Sequence, residues 1–167
     1  ANPEEFNSQL QIFASPDGVH WKLRHRDVIT FDHTAKPHHL DSQNVIFWDA
    51  RLRKYVAYFR RNLRDPTAQC RTVARAELAS LDQSVPVLDS PIVLRLDELY
   101  PARELRPGQR ASAVDVYASG ALKYPWADDA YFMFPWQYYH YDESQAEFRA
   151  ERPTNAGVVD ARFAASR

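Results

Sequence analysis

Apolar and aromatic residues fall in short runs between turn residues, and no segment sustains a long helical period. Runs rich in Val, Ile, Phe and Tyr predict strands at 10–14 (LQIFA), 44–48 (NVIFW), 54–59 (KYVAYF), 71–76 (RTVARA), 115–122 (DVYASGAL), 130–134 (AYFMF) and 158–165 (VVDARFAA). The best helical candidate, LDELYPAREL at 96–105, is split by Pro101, which limits it to a short turn of helix inside a long connection. The pattern predicts an all-β chain.

Two hairpins share one layout. A polar turn at 49–54 separates two strands, and a second at 124–129 does the same; an aspartate opens the first strand of each, Asp41 or Asp115. A third phrase also recurs. FASPDGVHW at 13–21 holds a tight Asp17-Gly18 turn, FAASR closes the chain at 163–167, and ARAELASLDQSVPVL at 74–88 is a degenerate version. A repeat of about 60 to 90 residues with about four strands is the mark of propeller blades, which bury their faces only against neighbours. The expected division is the end of one blade at 10–30, a second at 41–95 and a truncated third at 115–167. The chain begins at ANPEEF without a methionine, so it is expected to be a fragment.

Composition narrows the function less. The 167 residues are 45% hydrophobic and 13% aromatic, which suffices for a core in one domain. A formal charge of -1 offers no electrostatic footprint for nucleic acid or an anionic membrane, although lysine stands only at 22, 36, 54 and 123 among 21 basic residues. The one cysteine, Cys70, has no intrachain partner, and no run is long enough to span a bilayer. The chain is expected to be soluble, with its compartment open, secreted or periplasmic if a leader was removed.

In order, SPDGVHW, DSQNVIFWDARLRKYVAYFRR, RTVARAE, VDVYASGALKYPWADDAYFMFPWQYYHY and VVDARFAAS resemble the five-bladed propeller glycoside hydrolases of families 32 and 43 and their relatives. The resemblance spans residues 10–167. It implies a partial propeller of about two to three four-stranded antiparallel blades, with the remaining blades missing from this chain. It also implies an oligo- or polysaccharide substrate, and carboxylates from successive inner strands converging on the sugar without a cofactor. Asp41 and Asp115 match such positions, with Ser42, Gln43, Asn44, His39, Tyr117 and Trp136 as candidate sugar contacts. Paired carboxylates suit the reaction because one delivers a proton to the leaving oxygen while the other attacks or activates water. The sequence departs from the family in offering no glutamate acid on an inner strand: Glu77 falls on a third strand, and Glu143 and Glu147 fall in a loop.

Each feature has a plainer reading beside it. The positions of Asp41 and Asp115 also suit aspartates that cap turns, since a structural repeat produces matched positions without an active site. Asp160 reads as an outward polar position, and Asp17-Gly18 as structural, resembling an Asp-box hairpin. The aromatics at 131–141 read as interblade packing or as sugar-stacking rings, a subsite in that case falling to Trp126, Trp136 or Tyr138. Trp48 is expected in the core. His33, His38 and His39 sit in a loop poorly suited to metal, and no metal is expected. Arg60, Arg61, Arg64 and Arg71 read as solvated or ion-paired; converged, they would grip a carboxylate or phosphate. Hydrolysis is the leading expectation, beside a phosphorylase, where phosphate replaces water, and a noncatalytic carbohydrate-binding or interaction propeller.

Overall fold

The computed structural model describes residues 10–30, 39–40, 43–64, 69–96, 104–106, 109–141 and 157–167. These form an all-β structure. The strands are β1 (Leu10–Ala14), β2 (Lys22–Thr30), β3 (Val45–Asp49), β4 (Lys54–Arg64), β5 (Gln69–Leu78), β6 (Val85–Pro86) and β7 (Ile92–Leu94), with one 3-10 turn at Val87–Asp89 before β7. They continue as β8 (Glu104–Arg106), β9 (Gln109–Ala118), β10 (Ala121–Lys123), β11 (Tyr131–Met133), β12 (Trp136–Tyr141), β13 (Gly157–Ala161) and β14 (Ala164–Ser166).

The central sheet runs β3-β4-β5-β7, antiparallel throughout. Its middle strand shows why it is central. Along KYVAYF, Ala57 and Phe59 point to one side and Val56 and Tyr58 to the other, and all four are buried. A strand apolar on both faces must be covered on both faces. On the first side Ala57 and Phe59 join Ala74, Ala76 and Leu78 against Val28 and Ile29 of β2. On the second, Val56, Tyr58 and Val73 pack with Val116, Leu96 and Ala121.

The sheet on the first side has the order β1-β2-β6. Its third member is borrowed: β6, from the connection between β5 and β7, pairs parallel to β2 through Ile29 with Val85 and Thr30 with Pro86. On the second side, β10-β11-β14 and β13-β12-β9-β8 are two parts of one bent meander. Met133 pairs with Ala121 and Ala164, while Trp136 pairs with Ala118 and Ala161, so the three partnerships continue across the bend. Gly120 makes the bend possible. Its φ is 54°, and a Cβ there would lie 2.8 Å from the Phe134 carbonyl oxygen.

The recurring phrase has a recurring conformation. Ser15 Oγ donates to Asp17 Oδ1 at 2.8 Å and accepts from the Gly18 N–H at 2.9 Å in the turn between β1 and β2. After β5, Ser80 Oγ accepts from the Asp82 N–H at 3.1 Å. Asp17 also accepts from the His20 N–H, the His20 ring and the Val19 N–H, which hold its carboxyl far below the usual range.

Several expectations change. Trp48 is not core: it is 49% exposed and meets Tyr55 edge-on at 5.0 Å. It alternates with Phe47 on an edge strand of its sheet, beside its register partner Tyr55. Asp115 does not open its strand, because β9 begins six residues earlier, at Gln109. Trp136–Tyr141 is a strand of its own, with Pro135 at the bend rather than inside a ladder. Of the supposed helical stretch, 97–103 lie outside the described residues and Glu104–Arg106 is strand. Among the described residues no helix is long and apolar enough to cross a membrane.

Candidate functional site

Asp115 and Tyr138 are register partners on β9 and β12, and Tyr117 and His140 continue the same patch. The Tyr117 and Tyr138 rings lie 5.8 Å apart, and Tyr138 meets His140 edge-on at 4.4 Å. Gly157, opposite His140 on β13, leaves room for this arrangement: a Cβ there would lie 2.7 Å from Tyr138 Cζ and 2.5 Å from the Tyr139 carbonyl oxygen.

Arg71 enters the patch from β5 of the central sheet. It alternates along that strand with the buried Thr72 and shares its side with Val73, so it faces the meander. Its Nη1 donates to Asp115 Oδ2 at 2.8 Å, and its guanidinium lies 5.6 Å from the Tyr117 ring centre and 5.5 Å from that of Tyr138. The Arg60 guanidinium stands 5.9 Å from the Tyr117 ring centre. His140 Nε2 is 3.1 Å from Asp115 Oδ2 and 3.4 Å from Arg71 Nη1. With its proton on Nε2 it donates to Asp115; in the other tautomer it accepts from Arg71.

The Asp115 side chain is 3% exposed, against 21% for Arg71 and 23% for His140. The carboxylate is therefore the floor of the patch and the nitrogens its rim. Both contacts fall on Oδ2, while Oδ1 is buried with no partner among the described residues. A buried carboxylate oxygen without a donor is costly, and a ligand hydroxyl is one group that would relieve it.

Two further carboxylates among the described residues, Asp49 and Glu77, are occupied. Asp49 is fully buried; its Oδ1 accepts from the Arg51 and Leu52 N–H groups and from Lys123 Nζ at 2.6 Å, and its Oδ2 from the Tyr131 hydroxyl. Burial pulls its pKa upward, but the bonds from Lys123, Tyr131 and Leu52 outweigh that and hold the carboxyl far below its ordinary range. Glu77 bonds Lys54 at 2.8 Å through one oxygen and Arg75 at 2.7 Å through the other; these two bonds hold its pKa down. A cavity of about 420 Å³ between β5, β7, β11 and β14 is lined by Glu77, Arg75, Tyr58 and Tyr131 and does not include Asp115. Because its one carboxylate is consumed by ion pairs, we place the candidate site at Asp115.

The residues singled out from sequence scatter around this patch. Asp115 and Tyr117 are within it; Asp41 and Ser42 lie outside the described residues. Asn44 bonds backbone on both sides, donating to the Leu40 carbonyl and accepting from the Arg60 N–H, each at 3.0 Å. Gln43 Oε1 accepts from the Gly120 N–H at 3.1 Å and ties β3 to the bend. His39, 4% exposed, accepts the Asn62 N–H on Nδ1 at 3.1 Å. Trp136 is half exposed beside the bend. Of the four arginines, Arg60 and Arg71 share Tyr117, Arg61 donates to the Ser90 carbonyl at 2.6 Å, and the Arg64 side chain is outside the described set. His140 carries little signal in the sequence: only its spacing of two from Tyr138 places both on one side of β12. His33 and His38 are outside the described residues, among which no three His, Cys, Asp or Glu side chains gather as a metal site.

No family model, curated protein or solved structure matches the chain.

Proposed function

We infer that this chain is part of a carbohydrate-active protein of the propeller glycoside hydrolase type, with Asp115 as one carboxylate of its sugar site. The observation that carries the reading is Asp115 itself: a buried carboxylate with one oxygen engaged by Arg71 and His140, the other unpartnered among the described residues, and two tyrosine rings beside it. Tyrosine rings offer apolar area for sugar C–H faces with a polar edge for hydroxyls. The stacked, mostly antiparallel sheets and the repeated Ser-x-Asp turn support a five-bladed propeller built from four-stranded blades.

In such a reaction Asp115 serves as acceptor. With a guanidinium and an imidazole on Oδ2 and Oδ1 buried, it meets the sugar only once the side chains covering Oδ1 move aside, and then acts as nucleophile, as base toward water, or as the group that steadies positive charge developing on the ring. Delivery of a proton to the leaving oxygen belongs to a different carboxyl. Glu77 does not fill that role, since both its oxygens are paired; Asp41 is the second candidate carboxylate, and the proton donor is left unassigned. Arg71 is a positioning residue, fixed between two rings.

The test is hydrolysis of a panel of oligosaccharides by the chain and by Asp115→Asn. Loss of at least about a hundred-fold in turnover is expected on removing one of two paired carboxylates. Unchanged turnover in Asp115→Asn would remove the reading. A second reading is favoured by one observation: the bonds described around Asp115 bring in Arg71 and His140 but no second carboxylate among the described residues. It is sugar binding without cleavage, recognised by calorimetric binding that Asp115→Asn weakens while no product forms. Release of sugar phosphate only when phosphate is added would instead mark a phosphorylase.

A further inference from the structure

The central sheet and the meander pack through Val56, Val73, Val116 and Ala121, but the apolar seal does not run their whole length. On β5 the side that carries Val73 next carries Arg75 and Glu77. On the meander's inner side β11 presents Tyr131 and Met133, whose register partners on β14 are only Ser166 and Ala164. Side chains this short leave the space between the sheets unfilled, and a cavity of about 420 Å³ opens between β5, β7, β11 and β14. Its size falls in the range of small-molecule sites, about 300–1,000 Å³.

The lining is sorted by chemistry. Leu52, Leu94 and Met133 contribute aliphatic and thioether groups, and Tyr58 and Tyr131 contribute rings. The charged groups favour an anion. Glu77 is met by Lys54 at 2.8 Å and by Arg75 at 2.7 Å, and Asp49, behind Tyr131, is met by Lys123. Arg51 and Arg167 also line the cavity, so even with Asp129 acting on Arg51, cations exceed carboxylates among the described residues around it. Arg75 is the best placed of them. Its bond to Glu77 and its position 5.9 Å from the Tyr58 ring centre fix the guanidinium, while Glu77 and the Tyr58 hydroxyl take only part of its fork of N–H donors.

We propose that this cavity binds a small arylcarboxylate, its ring among Tyr58, Leu94 and Met133 and its carboxylate on Arg75. A sugar would bring hydroxyls against aliphatic groups that cannot bond them, and a plain hydrocarbon would strip water from the arginine N–H groups without replacing it. A flat apolar body with one anionic end satisfies both parts of the lining, and a planar carboxylate matches the guanidinium fork. The inference does not rest on the sugar site, because Asp115, Arg71, Tyr117, Tyr138 and His140 are not in this lining.

Titration calorimetry of the intact chain with 2-naphthoate, and with 2-naphthylmethanol as its neutral counterpart, is the test. The carboxylate is expected to bind at a single site and more tightly than the alcohol. Ala164→Leu, which fills the cavity from β14, is expected to abolish the binding of both. Arg75→Gln leaves Glu77 paired with Lys54 and is expected to weaken 2-naphthoate about ten-fold while leaving the alcohol unchanged. Arg51→Gln, at an exposed position, should weaken the carboxylate in the same selective way and serves if Arg75→Gln does not fold, which circular dichroism checks. Trp126→Ala, on the exposed aromatic side of the meander, should change neither affinity. No binding by the wild type, equal affinity for the two probes, or binding that survives Ala164→Leu but is lost in Trp126→Ala would overturn the proposal.

Discussion

Gly157 and Tyr138 act as a pair. The missing side chain of one makes the space in which the other's ring lies beside Arg71. Gly157→Ala would force the Tyr138 ring and the Tyr139 backbone to move by more than a few tenths of an ångström. The expected cost is about 1–3 kcal/mol, as for other overpacked sites. Chemical denaturation checks the stability, and, on the proposed sugar-site reading, a loss of sugar binding beyond that of an equally destabilised variant elsewhere checks the displacement of the ring. Asp115 and Tyr117, both singled out from the sequence, share one patch in the structure, and Arg71, read there as solvated or ion-paired, has Asp115 as a partner that the sequence does not name. Nothing in RTVARAE says which of two alternating sides meets another sheet; that depends on a partner 44 residues away.

Individual elements were legible where alternation and turn chemistry agree. LQIFA at 10–14 is β1 end to end, and the Asp17-Gly18 turn sits where the sequence places it. Strand ends were harder: β4 runs on to Arg64, past its apolar run at 54–59, because polar residues such as Arg60 and Asn62 continue the ladder, and β5 spans Gln69–Leu78 where the run covered 71–76. Trp48 and Phe59 show the remaining ambiguity, since each is a large ring in an apolar strand and only the position of that strand in its sheet separates them. Phe59 is fully buried, whereas Trp48 leans on Tyr55 at an edge. Phe59→Ala is therefore expected to cost about 3–5 kcal/mol, and Trp48→Ala about 1 kcal/mol, the worth of one aromatic pair. Urea unfolding of the two variants checks the contrast; equal losses would mean that β3 is not an edge strand in solution.

Across the whole molecule, the buried ion pair of Asp49 joins the central sheet to the meander through Lys123 and Tyr131. The carboxyl has a lower pKa folded than unfolded, so its contribution is fully present above about pH 4, the ordinary carboxylate range. It is lost as pH falls below that, because protonation is then easier in the unfolded chain. Glu77 acts in the same direction from a more exposed position. Asp49→Asn should lower stability at neutral pH by about 3 kcal/mol, as when one partner of a buried pair is removed, and should flatten the acid limb of a stability-against-pH curve. An acid limb identical to the wild type would show that other carboxylates govern acid unfolding. The all-β class was legible at this scale, but the lock was not, because Lys123 and Asp49 are 74 positions apart and only stacking brings them together.

The borrowed strand β6 carries a consequence for the order in which the molecule is made. As the chain leaves a ribosome, the β1–β2 hairpin emerges before the other described strands, yet among the described residues the parallel edge of β2 has no partner until residues 85–86 follow. By then β3, β4 and β5 have also been synthesised, and the loop that must close spans more than fifty residues. The N-terminal hairpin is thus synthesised early and completed late, waiting with an open edge for a segment that has already passed through the neighbouring sheet.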